Sequence, residues 1–139
     1  IIKLAPKHDN ISLQCMDALN IRYADEWFDT VLRLGGTIMN LYPQETEGLR
    51  EAYRVLKPGG IGFFTTAKAH AKNFHEEFYT SSNLPIRSSY GDLITLETGL
   101  ISKRHSHEEL NELMQKAHIT QYHISELTEH TYQVHFQKS

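Results

Sequence analysis

Leu49-Arg50-Glu51-Ala52-Tyr53-Arg54-Val55-Leu56-Lys57-Pro58-Gly59-Gly60, followed at once by Ile61-Gly62-Phe63-Phe64-Thr65-Thr66, is the stretch that decides the fold. Leu49, Ala52, Tyr53 and Leu56 recur at i, i+3, i+4 and i+7, which places them on one face of an amphipathic helix. Glu45 and Glu47 stand at its positive start and Arg54 and Lys57 at its negative end, so the charges complement the helix dipole. Pro58-Gly59-Gly60 then stops the helix. Ile61 to Phe64 is apolar on both alternating faces, the pattern of a strand buried on both sides in a helix-covered parallel sheet. The glycines here precede a strand, whereas a phosphate-cradling loop follows one and opens a helix, so the turn is architectural.

Upstream, Trp27-Phe28-Asp29-Thr30-Val31-Leu32-Arg33-Leu34 reads as a strand stopped by Gly35-Gly36. Ile11-Ser12-Leu13-Gln14-Cys15-Met16 alternates between Asp9-Asn10 and Asp17 and reads as another, short strand, with Cys15 as a small filler. Ile1-Ile2-Lys3-Leu4-Ala5 reads as the end of a helix already under way. Downstream, Ala67, Ala71, Phe74 and Phe78 line one side of a helix. Residues 80–99 are rich in Ser, Asn, Pro and Gly without a firm period and read, together with Tyr79 and with Tyr90 among them, as a substrate-facing lid or else a disordered surface loop. Ser106 with Glu109 three residues on is a capping-box pattern opening a helix with Leu110, Leu113, Met114 and Ala117 on one face. The end alternates twice, through Thr120, Tyr122 and Ile124 and through Tyr132, Val134 and Phe136, which predicts an antiparallel hairpin. The order of elements predicts a single α/β domain over residues 1–139, with a mostly parallel sheet closed by that hairpin.

Composition narrows the function. The 139 residues, 40% hydrophobic, suit one core. With 14 Lys and Arg against 17 Asp and Glu, the net charge of −3 offers no footprint for nucleic acid or an anionic membrane. No apolar run approaches the roughly 20 residues that span a bilayer, and a cytoplasmic setting is expected. The single cysteine, Cys15, excludes an internal disulfide and a multi-cysteine zinc site. Nine histidines raise the question of a metal. His105-Ser106-His107-Glu108 lacks the second ligand of a His-Glu-x-x-His helix, because Asn111 stands at that place. His123 and His135 fall on the polar faces of the closing strands, where they form a two-ligand set at most. No metal site is expected.

Met16-Asp17-Ala18-Leu19, Trp27-Phe28-Asp29-Thr30-Val31 and the run from Leu49 to Gly60 follow one another as in a known family. In that order the chain resembles a class I S-adenosylmethionine-dependent methyltransferase, most closely from about Ile11 to Thr66. The resemblance implies a Rossmann-like sheet of strand order 3-2-1-4-5-7-6 that binds S-adenosylmethionine beyond its strand ends. It implies that the Asp17 carboxylate meets the adenine amino group, that the Ala18 amide meets an adenine ring nitrogen, and that Leu34 and Gly35 pass beneath the methionine part. The competing reading of Asp17 is a turn cap. The family's Gly-rich first-strand loop and ribose-binding acid have no counterpart here, so a truncated domain with its first two strands missing is expected, and poor cofactor binding by these residues alone.

These readings lead to an expected function of methyl transfer from S-adenosylmethionine to a small-molecule acceptor in a longer parent. The alternative is an inactive methyltransferase-like remnant or binding module that associates with a partner, or with a second copy by strand exchange, through its exposed sheet edge. For a catalytic base the sequence offers His70, His75 and Tyr42 near the strand ends, though each reads more readily as a helix-surface or core residue.

Overall fold

The computed structural model describes residues 7–139. The reading of residues 1–5 as a helix end therefore lies outside the described residues. The deciding stretch folds as its pattern predicts at both ends and differently in the middle. Helix α1 (Glu45–Val55) buries Leu49, Ala52 and Val55, with Glu45 and Glu47 in its first turn and Arg54 in its last. It is cut off by extended backbone at Leu56, where strand β2 (Leu56–Ala67) begins. Pro58-Gly59-Gly60 is thus inside the strand rather than before it. Strand β1 (Phe28–Arg33) runs parallel to β2, pairing Phe28 with Leu56 but Thr30 with Ile61, so residues 57–60 bulge from the ladder. Gly60 is required there: an added Cβ would lie 2.8 Å from the Lys57 carbonyl and 3.0 Å from that of Asp29.

The main sheet has the order β1-β2-β7-β6. Strand β7 (Thr131–Gln137) is antiparallel to β2, and β6 (Tyr122–Glu126) is antiparallel to β7. The closing hairpin forms as expected. The mostly parallel sheet does not, since β1 with β2 is the parallel pair and the other two pairings are antiparallel. The reason is connectivity: adjacent parallel strands need a crossover, and α1 supplies the one between neighbours here. Helix α3 (His107–Lys116) starts with the full capping box, the Ser106 hydroxyl accepting from the Glu109 amide and the Glu109 carboxylate from the Ser106 amide.

Phe64, Val134 and Phe136 pack against Leu49, Ala52, Leu110 and Met114, forming one buried core between the sheet and helices α1 and α3. Gly62 lies beneath the Phe136 ring with no room for a Cβ. On the opposite face Leu32 is 59% and Ile61 49% exposed, so β2 is covered on one side rather than two. Residues 11–16 form no strand, and Ile11 and Leu13 are exposed. Alternation prepares a strand, but a ladder needs a partner, and no described strand lies beside this segment.

The expected loop at residues 80–99 is also corrected. After helix α2 (Lys72–Ser81), the strands β3 (Ile86–Tyr90), β4 (Leu93–Leu96) and β5 (Ile101–Lys103) form a separate antiparallel sheet. Its hairpins turn at Gly91 and Gly99, both at positive φ, and Ile94 and Leu96 are buried against Tyr79 and Ile86.

Candidate functional site

The carboxyl ends of β1 and β2 lie side by side, the place where open α/β sheets bind ligands. The chain leaves β1 through Gly35 and Gly36, at φ 66° and 75°, a conformation that favours glycine. Among the described residues, no atom lies within 4 Å of a Cβ built on Gly35, so the backbone there is open to close approach. A 3₁₀ turn, Thr37–Leu41, then brings buried Met39 back against the end of β2. Between these glycines, Met39, Thr65 to Ala67 and the Phe74, His75, Phe78 and Tyr79 side of α2 lies a cleft of about 160 Å³.

Behind the cleft is a set of buried polar groups. The Arg104 side chain is 1% exposed, and its guanidinium donates to the carbonyls of Ala69 (3.0 Å) and Gly91 (2.5 Å) and to His75 Nδ1 (3.1 Å). Because Arg104 can only donate, Nδ1 accepts, and His75 Nε2–H donates to Ser102 Oγ at 2.9 Å. Burial, reinforced by the Arg104 charge, pushes the His75 pKa down to about 4. His75 is therefore neutral near pH 7, with both nitrogens engaged, and serves as a wall rather than a free base. His105, fully buried, joins Thr66 Oγ1 to its Nδ1 at 2.8 Å and Glu45 Oε1 to its Nε2 at 3.4 Å. Glu45, His105 and Tyr42 line a second, polar cleft on the helix side of the sheet.

Of the residues singled out in the sequence, Gly35 lines the cleft, and Asp17, Ala18 and Leu34 do not. Asp17 is exposed and caps a turn, its Oδ1 accepting from the Leu19 amide at 2.9 Å and its carbonyl from Asn20 at 3.1 Å. Leu34 is 56% exposed. The Ala18 carbonyl accepts from Arg33 Nη2 at 3.2 Å, which also donates to Gly48 at 2.8 Å. Arg33 was not legible as more than a strand residue. It is buried, its Nε and Nη1 have no partner among the described residues, and burial holds its pKa down. It ties the Asp17–Ala18 turn to α1. Of the proposed bases, His75 reaches the cleft and His70 is exposed on the surface. His123 pairs directly with His135 across the hairpin, and both are exposed. Cys15 is exposed as well.

The methyltransferase-domain family profile matches residues 2–64. An S-adenosylmethionine-dependent methyltransferase from Methanosarcina mazei superposes at a TM-score of 0.62 with 19% identity, over 88% of this chain and 65% of its own. The 1,6-didemethyltoxoflavin-N1-methyltransferase of Burkholderia thailandensis, solved with 1,6-didemethyltoxoflavin and S-adenosylhomocysteine, gives 0.64 with 16% identity over 89% and 49%. A methyltransferase from Thermotoga maritima gives 0.58 with 23% identity over 88% and 61%. No curated protein matches the sequence.

This is the fold of a class I S-adenosylmethionine-dependent methyltransferase. The chain spans between about half and two thirds of these relatives' lengths. The observed order β1-β2-β7-β6, with β7 antiparallel to both of its neighbours, makes a mixed sheet in an α/β fold that matches these relatives. Gly35 follows the end of β1 by two residues, and Ala67 ends β2.

Proposed function

We propose that this chain carries the acceptor side of an S-adenosylmethionine-dependent methyltransferase that acts on a small molecule in a cytoplasmic setting. The observation that carries the reading is the cleft at the ends of β1 and β2, opened by the left-handed Gly35-Gly36 and walled by α2. The residues fit the cofactor in part. Gly35 leaves free space at the strand end, and Asp17 is exposed on a turn anchored through Arg33. Asp17 and Ala18 would hold the adenine, and Leu34 and Gly35 would lie along the methionine part. Strands corresponding to the family's first two, with their Gly-rich loop, would complete the site. The cofactor supplies an electrophilic methyl group, and the chain's own contribution is to orient the acceptor and exclude water.

A second reading, a methyltransferase-like binding module, draws on the outer edge of β1, unpaired among the described residues, and on exposed Leu32 and Ile61 beside it. Calorimetric titration of S-adenosylhomocysteine separates the two. Binding weaker than micromolar that Asp17→Ala abolishes supports a partial cofactor site. Absence of heat at millimolar ligand, with concentration-dependent self-association, supports the module.

A further inference from the structure

We propose that the cleft at the ends of β1 and β2 takes a neutral aromatic ring, which makes the methyl acceptor an uncharged aromatic compound. The inference rests on the methyltransferase reading for the word acceptor, and on the cleft's own chemistry for the ring. Its walls are the Met39 thioether and the side chains of Phe74, Phe78 and Tyr79, set against the Gly35-Gly36 backbone. Among the described residues, no Asp, Glu, Lys or Arg lines it. A charged occupant would lose its hydration with no countercharge in return.

Apart from Thr65, the polar side chains of the lining are committed to neighbours among the described residues. Thr66 bonds His105, both His75 nitrogens are engaged, the Tyr79 hydroxyl donates to Asn40 Oδ1 at 3.2 Å, and Thr131 bonds Thr128. A polyhydroxylated occupant would meet few free partners. Size agrees, since an apolar cavity of about 150 Å³ accepts benzene and this cleft measures about 160 Å³. Thioether and ring edges both favour an aromatic neighbour. Phe74 and Phe78 remain 39% and 51% exposed at the rim, large apolar surface that a seated ring would cover.

The test uses the full chain labelled at its methionine methyl groups and titrated with indole, trimethylsulfonium and benzoate. Indole is expected to shift the Met39 methyl saturably while Met16 and Met114 stay still. Phe78→Ala, at a half-exposed position, weakens the effect about tenfold, and the cation and the anion leave Met39 unmoved. The proposal is overturned if indole gives no saturable shift, if trimethylsulfonium binds as well, since ring faces also attract cations, or if Phe78→Ala changes nothing. S-adenosylhomocysteine is titrated into a second sample. A response at Gly35 with none to indole at Met39 sinks the ring site and leaves the methyltransferase reading standing. The reverse result keeps the ring site and removes its role as acceptor pocket.

Discussion

His75 is a neutral ring clamped between a guanidinium and a hydroxyl, and its folded pKa of about 4 lies below the free value of 6.5. As pH falls, the unfolded chain binds the proton first. Stability from this group is therefore constant above about pH 6.5, declines from there to pH 4, and costs up to about 3 kcal/mol over that window. Urea unfolding at pH 7.5 and 4.5 should show this difference in the native chain and a smaller one in His75→Phe. Equal pH dependence in both would contradict it. Gly62→Ala drives a methyl group into the Phe136 ring and should cost roughly 1–3 kcal/mol, readable as a lowered urea midpoint with unchanged slope. Neither role was legible beforehand. A glycine within an apolar run looks like weak strand, and what demands it is a ring from β7, 74 positions away. The Thr66–His105–Glu45 contact was hidden for the same reason, because Glu45 reads locally as a first-turn acid suited to the helix dipole.

The elements were legible where pattern and partner are both local. The α1 stripe is regular over three turns, and the Ser106–Glu109 box formed as written. Ser106→Ala should cost about 1 kcal/mol, measured as earlier amide exchange in the first turn of α3. The small sheet was missed because Ile86-Arg87-Ser88-Ser89-Tyr90 is apolar at its ends alone, and its register shifts between Ile86 and Ser88. Its apolar period is confined to the four residues of β4, where Ile94 and Leu96 are buried, and a buried arginine braces the β3–β4 turn. Arg104→Leu strips donors from Ala69, Gly91 and His75 at once, and should cost about 3 kcal/mol or more. Hydrogen exchange would show it as loss of protection across β3–β5 with β2 and β7 less affected. Uniform loss, or none, would contradict the view that Arg104 pins this sheet.

At the scale of the molecule, the β1-α1-β2 unit was readable from the Leu49–Thr66 run, and the closing hairpin from its alternation. The balance of parallel and antiparallel pairing was not, because it depends on which strands lie beside one another. Residues 11–16 make the point: their alternation is sound, and they stay exposed without a neighbour. Of the four residues expected from the sequence to meet a cofactor, Gly35 lies at the cleft, while Asp17 caps a turn that Arg33 holds through the Ala18 carbonyl. The measurement that tests this arrangement most directly is amide shift mapping with S-adenosylhomocysteine. The account predicts weak, saturable shifts concentrated at Asp17, Ala18, Leu34 and Gly35, with β3–β5 silent. Shifts confined to other surfaces, or none at millimolar ligand, would contradict it.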